Sequence, residues 1–131
     1  MGKRIRIRDE EDLLAELRKL LRDLKGVDYV IVEGKRDKNL LLKLGLKNAI
    51  TLHEAKKLEL GGKRVAILTD FDEKGEEIGA KLKEELIKRN AKIDEHCRRL
   101  ARILLKSSSV NQIEAMKKLA NLYLSRWKRG I

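Results

Sequence analysis

The chain has 131 residues, 42% of them hydrophobic, 40% charged and only 3% aromatic, with no proline. That length suits one compact domain built on an aliphatic core, and a single cysteine excludes an internal disulfide framework. The formal net charge of +11 is concentrated late, with 10 basic against 3 acidic side chains over residues 91–131, so the expected partner is nucleic acid before a membrane.

Residues 9–25, DEEDLLAELRKLLRDLK, set Leu13, Leu14, Leu17, Leu20, Leu21 and Leu24 on one helical face. Acidic residues crowd the first turn, basic ones the last, and Gly26 follows as a stop. The pattern predicts an amphipathic helix that packs either on its own sheet or on a second subunit. DYVIVEG then reads as a short strand buried on both faces. Residues 36–44 read as a helix with Leu40, Leu41 and Leu44 inward and Gly45 ending it. NAITL (48–52) is a second strand, His53 to Leu60 a helical turn before Gly61-Gly62, and RVAILTD (64–70) a third buried strand. Residues 75–89 form a helix through Ile78, Leu82 and Leu86, and AKID (91–94) a fourth strand.

From Glu95 onward only helix is expected. One segment runs to about Lys106. A second starts at Ser109, where Ser109 and Gln112 form a capping box, and continues through Ile113, Met116, Ala120, Tyr123 and Trp127. Cys97 shares a core-facing stripe with Leu100, Ala101 and Leu104, and His53 and His96 have no companions at zinc-ligand spacing. No segment reads as a signal peptide or approaches the ~18 apolar residues of a membrane span. The expected setting is therefore the cytoplasm.

Alternating strands and helices predict an α/β fold, a four-stranded parallel sheet flanked by helices with a helical C-terminal extension. Right-handed crossovers leave few topologies. In the doubly wound order 2-1-3-4 the first and third strands are neighbours, and ligands bind beyond their C-terminal ends. The organisation is one domain over residues 1–131, with a core at 27–95, the N-terminal helix at 9–25 and basic helices at 95–128.

Both central strands end in acid: Glu33 follows Val30-Ile31-Val32, and Asp70 and Asp72 lie in TDFDEKG. A carboxylate at the mouth of a buried strand is costly without a partner, and three brought together cannot all stay ionised unaided. A hard divalent cation resolves the conflict, because Mg²⁺ typically takes one or two carboxylates plus waters and substrate phosphates. Glu33, Asp70 and Asp72 are thus the candidate catalytic and metal-binding residues, with Mn²⁺ as a substitute ion. Gly34 is expected to turn the chain and admit a phosphate, and Gly75 to open a helix whose N-terminus favours an anion. No Gly-x-x-x-x-Gly-Lys-Ser/Thr loop occurs, which excludes a P-loop enzyme. A receiver domain wants an acidic pair after the first strand. A haloacid dehalogenase wants Thr or Val where Lys74 stands.

VIVEGKRD followed by VAILTDFDEKG resembles the Toprim domain of topoisomerases, bacterial-type primases, OLD-type nucleases and ribonuclease M5. The whole chain is similar to the small standalone Toprim proteins of archaea, and its Lys-, Arg- and Glu-rich composition resembles that of thermophile proteins. The resemblance implies that Glu33 acts as general acid/base or metal ligand, that Asp70 and Asp72 bind Mg²⁺, and that Asp37 is a supporting acid. Lys35 and Arg36 are candidates for phosphate contact. No zinc-binding or helicase-contacting module of primases and no tyrosine domain of topoisomerases is evident, and Tyr29 and Tyr123 read as packing residues. The leading expectation is a Mg²⁺-dependent nuclease on structured RNA or DNA. Arg98, Arg99, Arg102, Lys106, Lys117, Lys118 and Arg126, with Lys128 and Arg129, would grip the phosphate backbone. The alternatives are a non-catalytic nucleic-acid-binding module of a larger processing complex and a small-molecule phosphohydrolase. Homo-oligomerisation is open.

Overall fold

The computed structural model describes residues 9–107 and residue 121. Nine elements follow one another: α1 (Glu10–Lys25), β1 (Tyr29–Val32), α2 (Lys35–Lys43), β2 (Ala49–Thr51), α3 (Leu52–Ala55), β3 (Arg64–Ile67), α4 (Glu73–Lys88), β4 (Lys92–Ile93) and α5 (Glu95–Ser107). The four strands form one all-parallel sheet in the order β2-β1-β3-β4. This is the predicted α/β architecture and strand order. The second predicted C-terminal helix, from Ser109 through Trp127, lies outside the described residues.

The chain runs from β1 outward to β2, then reverses and crosses β1 to reach β3. Right-handed crossovers on either side of such a reversal put their helices on opposite faces of the sheet. The core divides accordingly. Val30 and Val32 of β1 join Leu17, Leu21 and Leu24 of α1, Leu41 of α2 and Leu100 and Leu104 of α5. Ile31 points the other way, to Ala55 of α3 and Leu82 and Leu86 of α4. That two-sided burial is why β1 reads as a continuous apolar run instead of an alternation. The Leu-rich face of α1 packs within its own chain, chiefly beside α5. Cys97 is fully buried in the same cluster, and Tyr29 packs, half-buried, against the other.

Local chemistry sets the ends of the helices. Asp9 caps α1 by accepting from the Asp12 N–H at 2.9 Å. Thr51 and Glu54 form a reciprocal capping box on α3. The loop after α2 needs Gly45, whose φ is +91°. Strand β3 is shorter than the apolar run suggests, because after Ile67 the chain leaves the ladder. Only the Leu68 N–H still reaches β1, at the Ile31 carbonyl, 2.8 Å away.

Candidate functional site

Register decides which carboxylates meet. Ile31 pairs with Ile67, so the residues following β1 and β3 emerge side by side at the switch point of the sheet. There the Asp70 N–H donates to Glu33 Oε1 at 3.0 Å. Asp37, in the first turn of α2, is only 8% exposed and faces the same corner. Burial raises its pKa first and the Glu33 charge second, with Arg36 opposing. Asp70 is pushed up to about 6, by burial foremost and then by Glu33, Asp37 and Asp72, against the pull of Arg98. Four carboxylates from two distant segments therefore share one electrostatic field.

They do not form a closed cage. Among the described residues no three His, Cys, Asp or Glu side chains converge closely enough to hold a metal ion. Asp72 explains part of this. It is the N-cap of α4, and its Oδ1 accepts from the Gly75 N–H at 2.7 Å. Gly75 is therefore not the residue that opens the helix, and its amide is engaged by Asp72, which corrects the expectation that it receives a phosphate. Glycine is required there for another reason: a Cβ would lie 2.2 Å from the Asp70 carbonyl oxygen. Gly34 also differs from expectation. Its backbone is extended (φ −147°, ψ −179°), which any residue adopts, and the space a Cβ would enter is open to 4 Å. Lys35 and Arg36 are exposed beside it.

The basic residues of α5 separate into two kinds. Arg99 is exposed. Arg98, expected on the phosphate-gripping surface, instead turns inward with its side chain 13% exposed. One guanidinium nitrogen donates to the carbonyls of Ile67 (2.9 Å) and Thr69 (3.1 Å). The other reaches the Asp70 carbonyl at 3.4 Å and Glu76 Oε1 at 2.6 Å. Arg102 donates to both Glu76 oxygens, at 3.0 and 2.9 Å. Both guanidinium groups lie over the Phe71 ring, 4.7 and 5.5 Å from its centroid. Burial alone would raise the Glu76 pKa, but the bonds from Arg102 and Arg98 outweigh it and hold the carboxyl below its usual range. This clasp satisfies carbonyls stranded where β3 ends and fixes the loop that carries Asp70. Its members Phe71 and Glu76 carried no motif; the i, i+4 spacing of Arg98 and Arg102 was the one legible trace. The side chain of Lys106, and Lys117, Lys118 and Arg126, lie outside the described residues.

Thr69, fully buried, completes the support by donating its hydroxyl to the Gly75 carbonyl at 2.8 Å. Among the described residues no helix is long and apolar enough to cross a membrane.

No family model matches the chain. It is 36% identical over 110 residues to a UPF0292 protein of Pyrococcus abyssi, a match covering 79% of each chain. A UPF0292 protein of Thermococcus sibiricus is 34% identical over 117 residues, covering 85% of this chain and 88% of that one. A solved structure, described as a putative protein from Aquifex aeolicus, superposes with a TM-score of 0.57 at 32% identity, covering 82% of this chain and 98% of that one. With the α/β fold and the extent of these matches in hand, the chain belongs to the UPF0292 family.

Proposed function

We propose that this protein is a Toprim-type, Mg²⁺-dependent enzyme acting on nucleic-acid phosphodiesters, specifically a nuclease on structured RNA or DNA. The observation that carries this reading is the crowding of Glu33, Asp37 and Asp70 at the switch point, strong enough to push Asp70 up to about 6. A fold retains such repulsion where it serves chemistry. The donors are all carboxylate oxygens, which suit a hard cation such as Mg²⁺ or Mn²⁺, and Mg²⁺ needs only one or two of them directly. When bound, the ion supplies an oriented water and offsets charge growing on phosphorus.

Glu33, fixed by the Asp70 N–H through one oxygen, keeps the other for the ion or for a proton. Asp70, with a pKa near 6, gives up its proton close to neutrality and so becomes a ligand at little cost. Asp37, buried in the same corner, adds to the repulsion that raises Asp70. Exposed Lys35, Arg36 and Arg99 remain for phosphate contact. A cytoplasmic setting accompanies the reading, since nucleic acid is the substrate and Cys97 is a buried thiol.

A second reading, a non-catalytic nucleic-acid-binding module within a larger complex, is favoured by two observations: the capping role of Asp72 and the absence of a tight three-ligand cluster among the described residues. Incubation with labelled structured RNA and DNA, with and without Mg²⁺, separates the two. Metal-dependent cleavage that disappears in Glu33→Gln and Asp70→Asn supports the enzyme. Binding without cleavage in every form overturns it in favour of the module.

A further inference from the structure

On the β2 side of Glu33, away from Asp70, the sheet edge opens into a groove of about 630 Å³. That is within the size range of small-ligand sites. One wall is a single stripe of α2, with Lys35, Lys38, Asn39 and Leu42 at i, i+3, i+4 and i+7; the other is the end of β2 and α3, including His53 and Glu54. Lys38 and Glu54 are bonded to each other across the groove at 2.7 Å, so they brace its walls and cancel in charge. Lys35 has no ion-pair partner among the described residues, Glu33 of the same lining is held through one oxygen by the Asp70 N–H, and the side chains of Asn39 and His53 have no partner among the described residues. Leu42 is 42% exposed, one of two large apolar side chains left in solvent among the described residues. Glu33 and Gly34 line the same groove.

An occupant matching this surface is anionic at one end, and neutral, flat and hydrogen-bonding at the other. We propose that the groove seats the unpaired nucleotide adjoining the reacting phosphodiester. Its phosphate meets Lys35, its base lies against Leu42, and the base edge is read by Asn39 and His53. The proposal rests on the phosphodiester reading above and adds a base-reading subsite to it. The charge pattern argues against a peptide or lipid occupant. Beyond the Lys38–Glu54 pair, the lining offers one cation, Lys35, the Glu33 carboxylate at the end nearest Asp70, and one exposed Leu, neither a charge stripe nor a broad apolar patch.

The test is a ¹⁵N–¹H NMR titration of the full chain, free of divalent cations. The probes are the adenosine, guanosine, cytidine and uridine 5′-monophosphates, with inorganic phosphate as the control. The proposal expects saturable shifts at the amides of Lys35, Asn39, Leu42 and His53 for at least one nucleotide. Binding should be at least ~10-fold weaker for inorganic phosphate, and for Asn39→Ala/His53→Ala, whose altered side chains are both exposed. Absence of those shifts, equal binding of inorganic phosphate, or indifference to the double substitution overturns it. Nucleotide binding in the groove by a protein that cleaves nothing removes the nuclease reading and supports the subsite. Cleavage by a protein showing none of these shifts removes the subsite alone.

Discussion

Two charged clusters sit side by side where β3 ends, and they are built on opposite principles. In the clasp of α4 and α5, Arg98 and Arg102 neutralise Glu76, stack on Phe71 and satisfy carbonyls of Ile67 and Thr69. At the switch point, Glu33, Asp37 and Asp70 crowd together, with Arg98 partly relieving Asp70 and Arg36 partly relieving Asp37. The fold thus has the means to pair charge fully and does so within a few residues of a site where it leaves charge unpaired. The contrast shows a clasp that holds the loop carrying Asp70 through the Thr69 and Asp70 carbonyls, beside an acidic cluster whose repulsion the proposed cation would relieve.

The largest effect should come from breaking the acidic side. Glu33→Gln and Asp70→Asn should each lower metal-dependent cleavage by about 10²–10⁴-fold, the range for a positioned acid–base or ligand group, in a single-turnover assay. Breaking the clasp should register next, as stability. Arg98→Ala strands the Ile67 and Thr69 carbonyls and leaves Glu76 with Arg102 alone, for about 2–3 kcal/mol by urea denaturation. Gly79→Ala should fall in the same direction, because a Cβ would stand 2.7 Å from Thr69 Oγ1 and 3.3 Å from an Arg98 nitrogen.

How much of this was legible follows from chemistry. Glu33 and Asp70 were readable because each ends an apolar strand, where a carboxylate stands out, and the alternation of elements put those strands together. The clasp was not, because a helix-borne arginine reads as a solvated or phosphate-binding side chain. Its partners are backbone carbonyls 28–31 residues away, which carry no residue-type signal. Asp72 has a second role that was hidden for a related reason. Asp-x-x-Gly before a helix is also an N-cap, and here the cap engages one of its oxygens. The groove beside Glu33 had no motif, since its walls come from separate helices that only the β1–β2 pairing aligns.

A smaller effect sharpens the comparison through pH. Asp70 holds its proton more readily folded, at about 6, than at its ordinary 3.8. Between those values the native state binds more protons, so stability falls as pH rises across the window. The loss is about 1 kcal/mol once solvent screening of this partly buried group is allowed for. Denaturation below and above the window should show the decline, and Asp70→Asn should flatten it. Least of all, Arg99→Ala should leave stability within about 0.5 kcal/mol while reducing the salt slope of nucleic-acid binding by about 1.

The most direct test of the acidic cluster as a cation site is calorimetric titration of the full chain with Mn²⁺, beside Glu33→Gln and Asp70→Asn. The account predicts saturable binding by the parent protein, weakened at least ~10-fold by either substitution. Mn²⁺ binding that is absent, or unchanged in both variants, would contradict it.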